Sequence, residues 1–314
     1  MGSYITRRFL GITLNLFLVS MLLFFLLRLV PGDLTLTILT ESSTAEQRDQ
    51  FRKQHGLDKG PVEQYFNWLG NALTGNLDKS FRSGLSVASE FKTRFPVTME
   101  IVILSFAFTS VLGIAGGVVA ATRQDSGWDY GVRFMAIFGI SIPSFLLLTL
   151  MLILPARWFD YAPPFGANRF FDAPFDNLRL FVPPTLLLAV GGSATLMRLT
   201  RTAMLDVLRQ DYLRTARAKG LAEQTVISKH AMRNALPPVL TFMGLQLSTL
   251  LGGSIIVEQI MGLPGLGTWA LAAIQSKDYP IVLAFAVYVA FVIMVISLAI
   301  DLLYALLDPR IRYS

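Results

Sequence analysis

Two groups of residues could act on something outside the chain. The first is a set of uncharged polar side chains inside apolar stretches: Ser141, Pro143 and Ser144 in one, Gln246 and Ser248 in another. A proline in the middle of a membrane-length segment frees a backbone carbonyl, and neighbouring hydroxyls either satisfy it or face water. With the amide of Gln246 they describe a weakly polar, uncharged pathway, suited to passing a solute along rather than holding it. The second group is basic. Arg214, Thr215, Ala216, Arg217, Ala218, Lys219, Gly220 and Leu221 follow Asp211, and His230, Arg233 and Asn234 come shortly after. This reads as helix, glycine break, helix. Met204, Val207, Leu208, Asp211, Tyr212, Thr215 and Ala216 recur at helical spacing on one mainly apolar face, with Arg209, Arg214 and Arg217 away from it. Gly220 suits a helix C-terminus and Glu223 the next N-terminus. Val226, Ile227, His230, Ala231 and Asn234 form a second stripe, and Pro237 and Pro238 open the apolar segment that follows. From pattern alone the hairpin is either a docking site for a partner subunit or an ordinary surface hairpin held by the charge of membrane lipid.

Other chemistry is missing. There are no cysteines, so no disulfide, thiol catalysis or cysteine-ligated metal. No Gly-Lys dipeptide occurs, so ATP is not bound through a glycine-rich phosphate loop. Two histidines, His55 and His230, make a histidine-based metal site improbable. Gly262, Gly265 and Gly267 are in the wrong order for a dinucleotide loop. No catalytic residue, metal or cofactor of the chain's own is expected. Buried charge is nearly absent: Glu100 sits near the outer end of the second apolar segment and Asp301 near the inner end of the sixth, and this scarcity argues against a self-powered carrier.

The elements that must position these groups are membrane spans. The chain has 314 residues, 53% hydrophobic and 15% charged, with mean hydropathy +0.55. A soluble domain is about one-quarter charged. The net charge of +6 is concentrated: from Arg198 to Arg233 there are eight basic residues against three acidic ones, an excess of five. That is the mark of a cytoplasmic loop, not of a nucleic-acid partner. Six stretches approach or exceed the ~20 residues a spanning helix needs: Phe9–Leu27, Phe95–Thr122, Phe134–Ala156, Leu180–Met197, Asn234–Val257 and Tyr279–Ile300. The first lacks a small-residue cleavage site and is expected to stay as a span. Arg7, Arg8, Arg123, Arg133, the basic loop, Arg310 and Arg312 then share one face, which places both termini in the cytoplasm. Glycines within the spans, Gly113, Gly116 and Gly117 among them, are expected to permit close helix packing.

Composition divides the chain into a tail with the first span (1–30), an extracytoplasmic helical loop (31–94) and a core (95–314). The core carries a cytoplasmic loop (198–236) and an outer glycine-rich loop (258–278). In the outer loop Thr44 and Gln47 have capping-box spacing. Tyr65, Trp68, Leu69 and Ala72 share one helix face; this fits an amphipathic cap at the membrane interface better than a landing surface for an extracytoplasmic partner. The uncharged segment 259–276 is interrupted by Gly262, Pro264, Gly265 and Gly267, so it is expected to be re-entrant or to lie on the outer face rather than span.

The run Tyr212–Leu221 followed by His230–Pro237 resembles the "EAA" loop of binding-protein-dependent ABC importer permeases, specifically their peptide/nickel branch. The likeness extends over essentially the whole chain: Arg28–Asp33, Gly56-Leu-Asp with Gln64, Tyr65, Trp68 and Leu69, Ser141–Pro143, Glu258–Gly267, Asp278–Pro280 and Asp308–Arg312. One departure is Arg214, which stands where the loop's name-giving glutamate would be, so that residue's contacts are not carried over. The resemblance implies an all-α type I permease fold with six spans, in a prokaryotic inner membrane. It implies a sister permease, two ATPase subunits that bind the ATP and magnesium, and an extracytoplasmic binding protein that delivers the solute. It assigns coupling to the ATPase to Arg214–Leu221 and an outer loop to Glu258, Gly262, Pro264, Gly265 and Gly267. It also raises the outer loop 31–94 as a landing site for the binding protein. The branch moves peptides, nickel chelates, glutathione-like molecules and some oligosaccharides, with peptide the default.

Overall fold

A computed structural model describes residues 2–29, 39, 43–160, 170 and 172–307. Pro31–Asp33, Asp308–Arg312 and with them Arg310 and Arg312 lie outside the described residues. The helices are α1 (Gly2–Leu29), α2 (Ala45–Gln54), α3 (Pro61–Leu73), α4 (Val87–Thr122), α5 (Gly127–Ser141), α6 (Ser144–Phe159), α7 (Pro174–Leu208), α8 (Asp211–Ala218), α9 (Glu223–Met261), α10 (Leu266–Gln275) and α11 (Tyr279–Leu307). Among the described residues five helices, α1, α4, α7, α9 and α11, are long and apolar enough to cross a membrane. The sixth expected span, Phe134–Ala156, is not one straight helix. It is the pair α5 and α6, bent by 90°. Proline pushes the residue before it into extended backbone, and Ile142 before Pro143 has φ −100° and ψ 121°. The helix therefore stops at Ser141 and restarts at Ser144.

The chain packs as two compact units, one of Met1–Val97 with Pro264–Val295 and one of Thr98–Leu263 with Ile296–Ser314. These cuts follow packing, and differ from the compositional cuts at 30/31 and 94/95.

In the first unit α2 begins with the expected capping box: Thr44 Oγ1 accepts from the Gln47 amide at 3.3 Å, and Gln47 Oε1 from the Thr44 amide at 3.0 Å. The expected apolar face of α3 is buried. Tyr65 and Trp68, with Leu69 and Ala72 beside them, pack on Phe24 of α1 and Leu283 of α11. Tyr65 Oη and Ser20 Oγ share a hydrogen bond of 3.0 Å. Asp278, buried ahead of α11, accepts from Ser80 Oγ and from the Phe81 amide at 3.1 Å. α10 has ten residues, about half what a span needs, consistent with the reading of 259–276 as something other than a seventh span.

In the second unit α4 and α7 approach closely through small residues. A Cβ on Gly113 would meet Leu196, and one on Gly117 would lie 2.5 Å from Thr200 Cβ and 2.7 Å from the Met197 carbonyl oxygen. α9 contains a π-helical stretch, Val226–Ala231, near its start.

Candidate functional site

The basic hairpin is built on a buried anchor. Leu213, Val226, Ala231 and Ala235 pack with Met204 of α7 and Ala121 at the end of α4. Met204, Val226 and Ala231 of the predicted stripes are in this anchor, with Val207, Leu208, Ala216 and Ile227 packed against it, but Leu213 and Ala235 join it from outside the stripes, and Asp211, Tyr212, Thr215 and Asn234 are exposed. α7 ends at Leu208 and α8 starts at Asp211, so the helical phase resets at Arg209–Gln210. Leu213 is fully buried and Ala216 half-buried, whereas Tyr212 is 43% exposed and Thr215 is exposed. In the second stripe the π turn widens the spacing: Val226 and Ala231, five apart, are the fully buried pair, and Asn234 is exposed, donating to Tyr212 Oη at 2.7 Å.

The tip of the hairpin faces outward. Arg214, Thr215, Arg217, Ala218, Lys219, Gly220 and Leu221 are all exposed. Gly220 has φ +77°, the left-handed region. Its amide donates to the Arg217 carbonyl at 2.9 Å and that of Leu221 to the Ala216 carbonyl at 3.4 Å. These are the two bonds of a Schellman motif, so the glycine closes α8. Arg217 forks onto Glu223, Nη2 to Oε1 at 2.8 Å and Nε to Oε2 at 3.0 Å. That pair clamps the two arms together and occupies one of the residues assigned to docking. Arg214 and Lys219 project further, with Arg214 reaching Asp211 only at 3.5 Å.

A cavity of 670 Å³ lies within the second unit, between the α5–α6 corner, α7 and α9. Pro143, Ser144 and Gln246 line it, with Gly191, Gly192 and Thr249. Among the described residues no charged one does. The side chains of Ser144 and Gln246 have no hydrogen-bond partner among the described residues. Gln246 lies against Gly192, where a Cβ would collide with its amide. Ser141 and Ser248 are not among the lining residues. Each bonds within its own helix, Ser141 Oγ to the Ile137 carbonyl at 2.8 Å and Ser248 Oγ to the Gly244 carbonyl at 3.3 Å.

The residues assigned to the outer loop divide between the units. Glu258 is in the last turn of α9, fully buried, and accepts from Thr98 Oγ1 at 2.6 Å. Gly262 ends α9 with φ +63°. Pro264 is exposed, while Gly265 caps α10 and is buried with Gly267.

Residues 113–313 match the family described as binding-protein-dependent transport system inner membrane component, and residues 1–102 match the N-terminal family of such membrane components. The chain belongs to this permease family. It is an inner-membrane, multi-pass component of a binding-protein-dependent transport system. A putative peptide transport system permease protein of Brucella abortus is 40% identical over 297 residues, 95% of each chain. The oligopeptide transport system permease protein AppB of Bacillus subtilis is 38% identical over 317 residues, and the glutathione transport system permease protein GsiC of Escherichia coli K12 is 36% identical over 314, each matched over 100% of both chains. The solved inward-facing MetNI methionine ABC transporter shares the fold, with a TM-score of 0.53 at 18% identity over 70% of this permease and 96% of that chain.

The permease also holds a buried carboxylate that the sequence analysis did not single out. Asp129, fully buried in the first turn of α5, accepts from Arg201 Nε and Nη2 of α7 at 2.7 and 2.8 Å, and from Arg133 Nε at 3.0 Å. Glu258, named above in the outer loop, is fully buried as well, and Glu100, half-buried in its apolar segment, accepts from Asn177 Nδ2 at 3.1 Å. Buried charge is thus more frequent than the sequence implied. Asp129 and Glu258 fall just outside spans drawn between charged residues, while Glu100 falls inside one. One signal was available: Asp129 and Arg133 stand four apart on a helix.

Proposed function

We propose that this permease forms, with a sister permease, the membrane pathway of an ATP-driven importer of peptides. Its hairpin Arg214–Leu221 is the coupling element, seated on one of two ATPase subunits that bind ATP and magnesium. An extracytoplasmic binding protein delivers the solute to the outer face, and both termini and the hairpin are cytoplasmic. The observation that carries this is the hairpin itself: an exposed, basic, apolar-tipped turn on a fully buried anchor continuous with α4, α7 and α9. Force applied at such a tip moves the helices rather than the loop. ATP-driven closure of the ATPase pair then switches the pathway between two rigid-body states.

Peptide as the solute rests on the names of the relatives and on the cavity. Ser144 and Gln246 offer an uncharged hydroxyl and amide, which match the N–H and C=O groups that every peptide carries whatever its sequence. Selection among peptides falls to the binding protein.

The test is purification from the native membrane in mild detergent, with ATP-driven uptake measured in reconstituted vesicles. Wild type is expected to bring down a sister permease and ATPase subunits, and charge reversal at Arg214 and Lys219 to lose the ATPase while keeping the sister. Recovery of the chain alone, still transporting solute without ATP, overturns the reading in favour of a stand-alone carrier.

A further inference from the structure

On the second unit, at the same end as the basic hairpin, α5 and α7 enclose a groove of 310 Å³. Its rim holds Arg133, Arg198 and Arg201, and its wall is apolar, with Ala136, Ile137 and Met197. The arginines are arranged unequally. Asp129 takes Nε and Nη2 of both Arg133 and Arg201, which fixes the two guanidinium planes and leaves each Nη1 amino group without a partner among the described residues. Arg198 is exposed, and its guanidinium has no partner there. One buried carboxylate and the exposed Asp125, 3.3 Å from Arg133, therefore stand against three cations. A surplus positive charge with pre-oriented donors sits directly above an apolar groove.

We infer that this groove is a binding site for an acidic phospholipid, its phosphate held by Arg198 with the free edges of Arg133 and Arg201, and an acyl chain lying along Ile137 and Met197. The chemistry supports a lipid over a soluble anion because charge and apolar wall are adjacent. A phosphate alone would leave the wall wet. Arginine also suits phosphate better than lysine through its planar, forked donors. Basic pockets between helices at the cytoplasmic end of a membrane protein meet the anionic leaflet. Assignment to that leaflet rests on the orientation proposed above; binding of the lipid does not.

The test uses the assembled transporter, reconstituted in nanodiscs of phosphatidylcholine with a minority of phosphatidylglycerol, then stripped in detergent and assayed for retained lipid by mass spectrometry. Wild type is expected to retain phosphatidylglycerol above its bulk share. Arg198→Gln should lower retention about five-fold, one surface cation's worth, and Arg198→Lys should restore part of it. Because Arg198 is exposed, neither variant threatens folding. Equal retention by wild type and Arg198→Gln, or displacement of the lipid by millimolar inorganic phosphate, overturns the proposal. Labelling of a cysteine placed at Gln210 from the outer side, with lipid retention intact, would overturn the orientation and leave the lipid site standing.

Discussion

Gly220 shows how one backbone angle governs the candidate coupling element. With φ +77° and no atom within 4 Å of a would-be Cβ, the position resists substitution through conformation alone, not space. A β-branched residue there costs about 1–2 kcal/mol and shifts the balance away from the closed turn. Gly220→Val is expected to reduce ATP-driven uptake severely while leaving complex assembly intact, and Gly220→Asn, which tolerates left-handed backbone, to keep most of it. Uptake and co-purification measured side by side check this. Asp78 offers a second test. Burial holds its carboxyl above the ordinary aspartate range, with His55 pulling weakly the other way. The folded unit thus grips that proton more tightly than the unfolded chain does. The resulting stabilisation is full below the unfolded pKa, about 3.9, and is lost as pH rises through the higher folded value. Protection factors in α3, with the intrinsic pH dependence of amide exchange divided out, should be higher on the acid side of that window, and Asp78→Asn should flatten the dependence.

At the scale of elements, helix α7 is fixed from two sides, by α4 through glycines and by α5 through Asp129. Gly117→Ala places a methyl against a backbone oxygen, which cannot rotate away. It should destabilise the permease by about 1–3 kcal/mol. Gly252→Ala, which meets nothing within 4 Å, should be neutral or slightly stabilising, and thermal unfolding of the two in one detergent separates them. The spans were legible because twenty apolar residues have one solution in lipid, and the Thr44 cap and α3 face because their spacing is local. The corner at Ile142–Pro143 was not: hydropathy registers a broken helix and a straight one alike. The hairpin stripes were read one helix too long, since Arg209–Gln210 carries no proline or glycine to announce the break. The cavity was half legible. Ser144 and Gln246 stood out by type, but whether Ser141 and Ser248 joined them depended on helix rotation that spacing alone does not give.

For the whole molecule the sign of the topology is the prediction with the widest reach. The chain has no native cysteine, so single introduced ones report alone. A cysteine at Lys219 should be shielded from an impermeant maleimide in intact cells, and one at Asn71 should react; the reverse pattern would invert every surface assigned here. The α5–α6 corner has a consequence for the life of the subunit. Helix α5 stops at Ser141, inside the length of a span, and the final carbonyls of a helix have no partner within it. Around them Ile140 is 47% and Phe145 55% exposed on this chain alone. Those carbonyls border the cavity described above, where water can meet them; a newly made copy that finds no neighbour leaves this side open to lipid, in which each unmet backbone group costs several kcal/mol, and sits in the bilayer at a continuing disadvantage. Such a copy is a natural substrate for membrane quality-control proteases, and the cell's supply of this subunit should then track the supply of its partners rather than its own rate of synthesis.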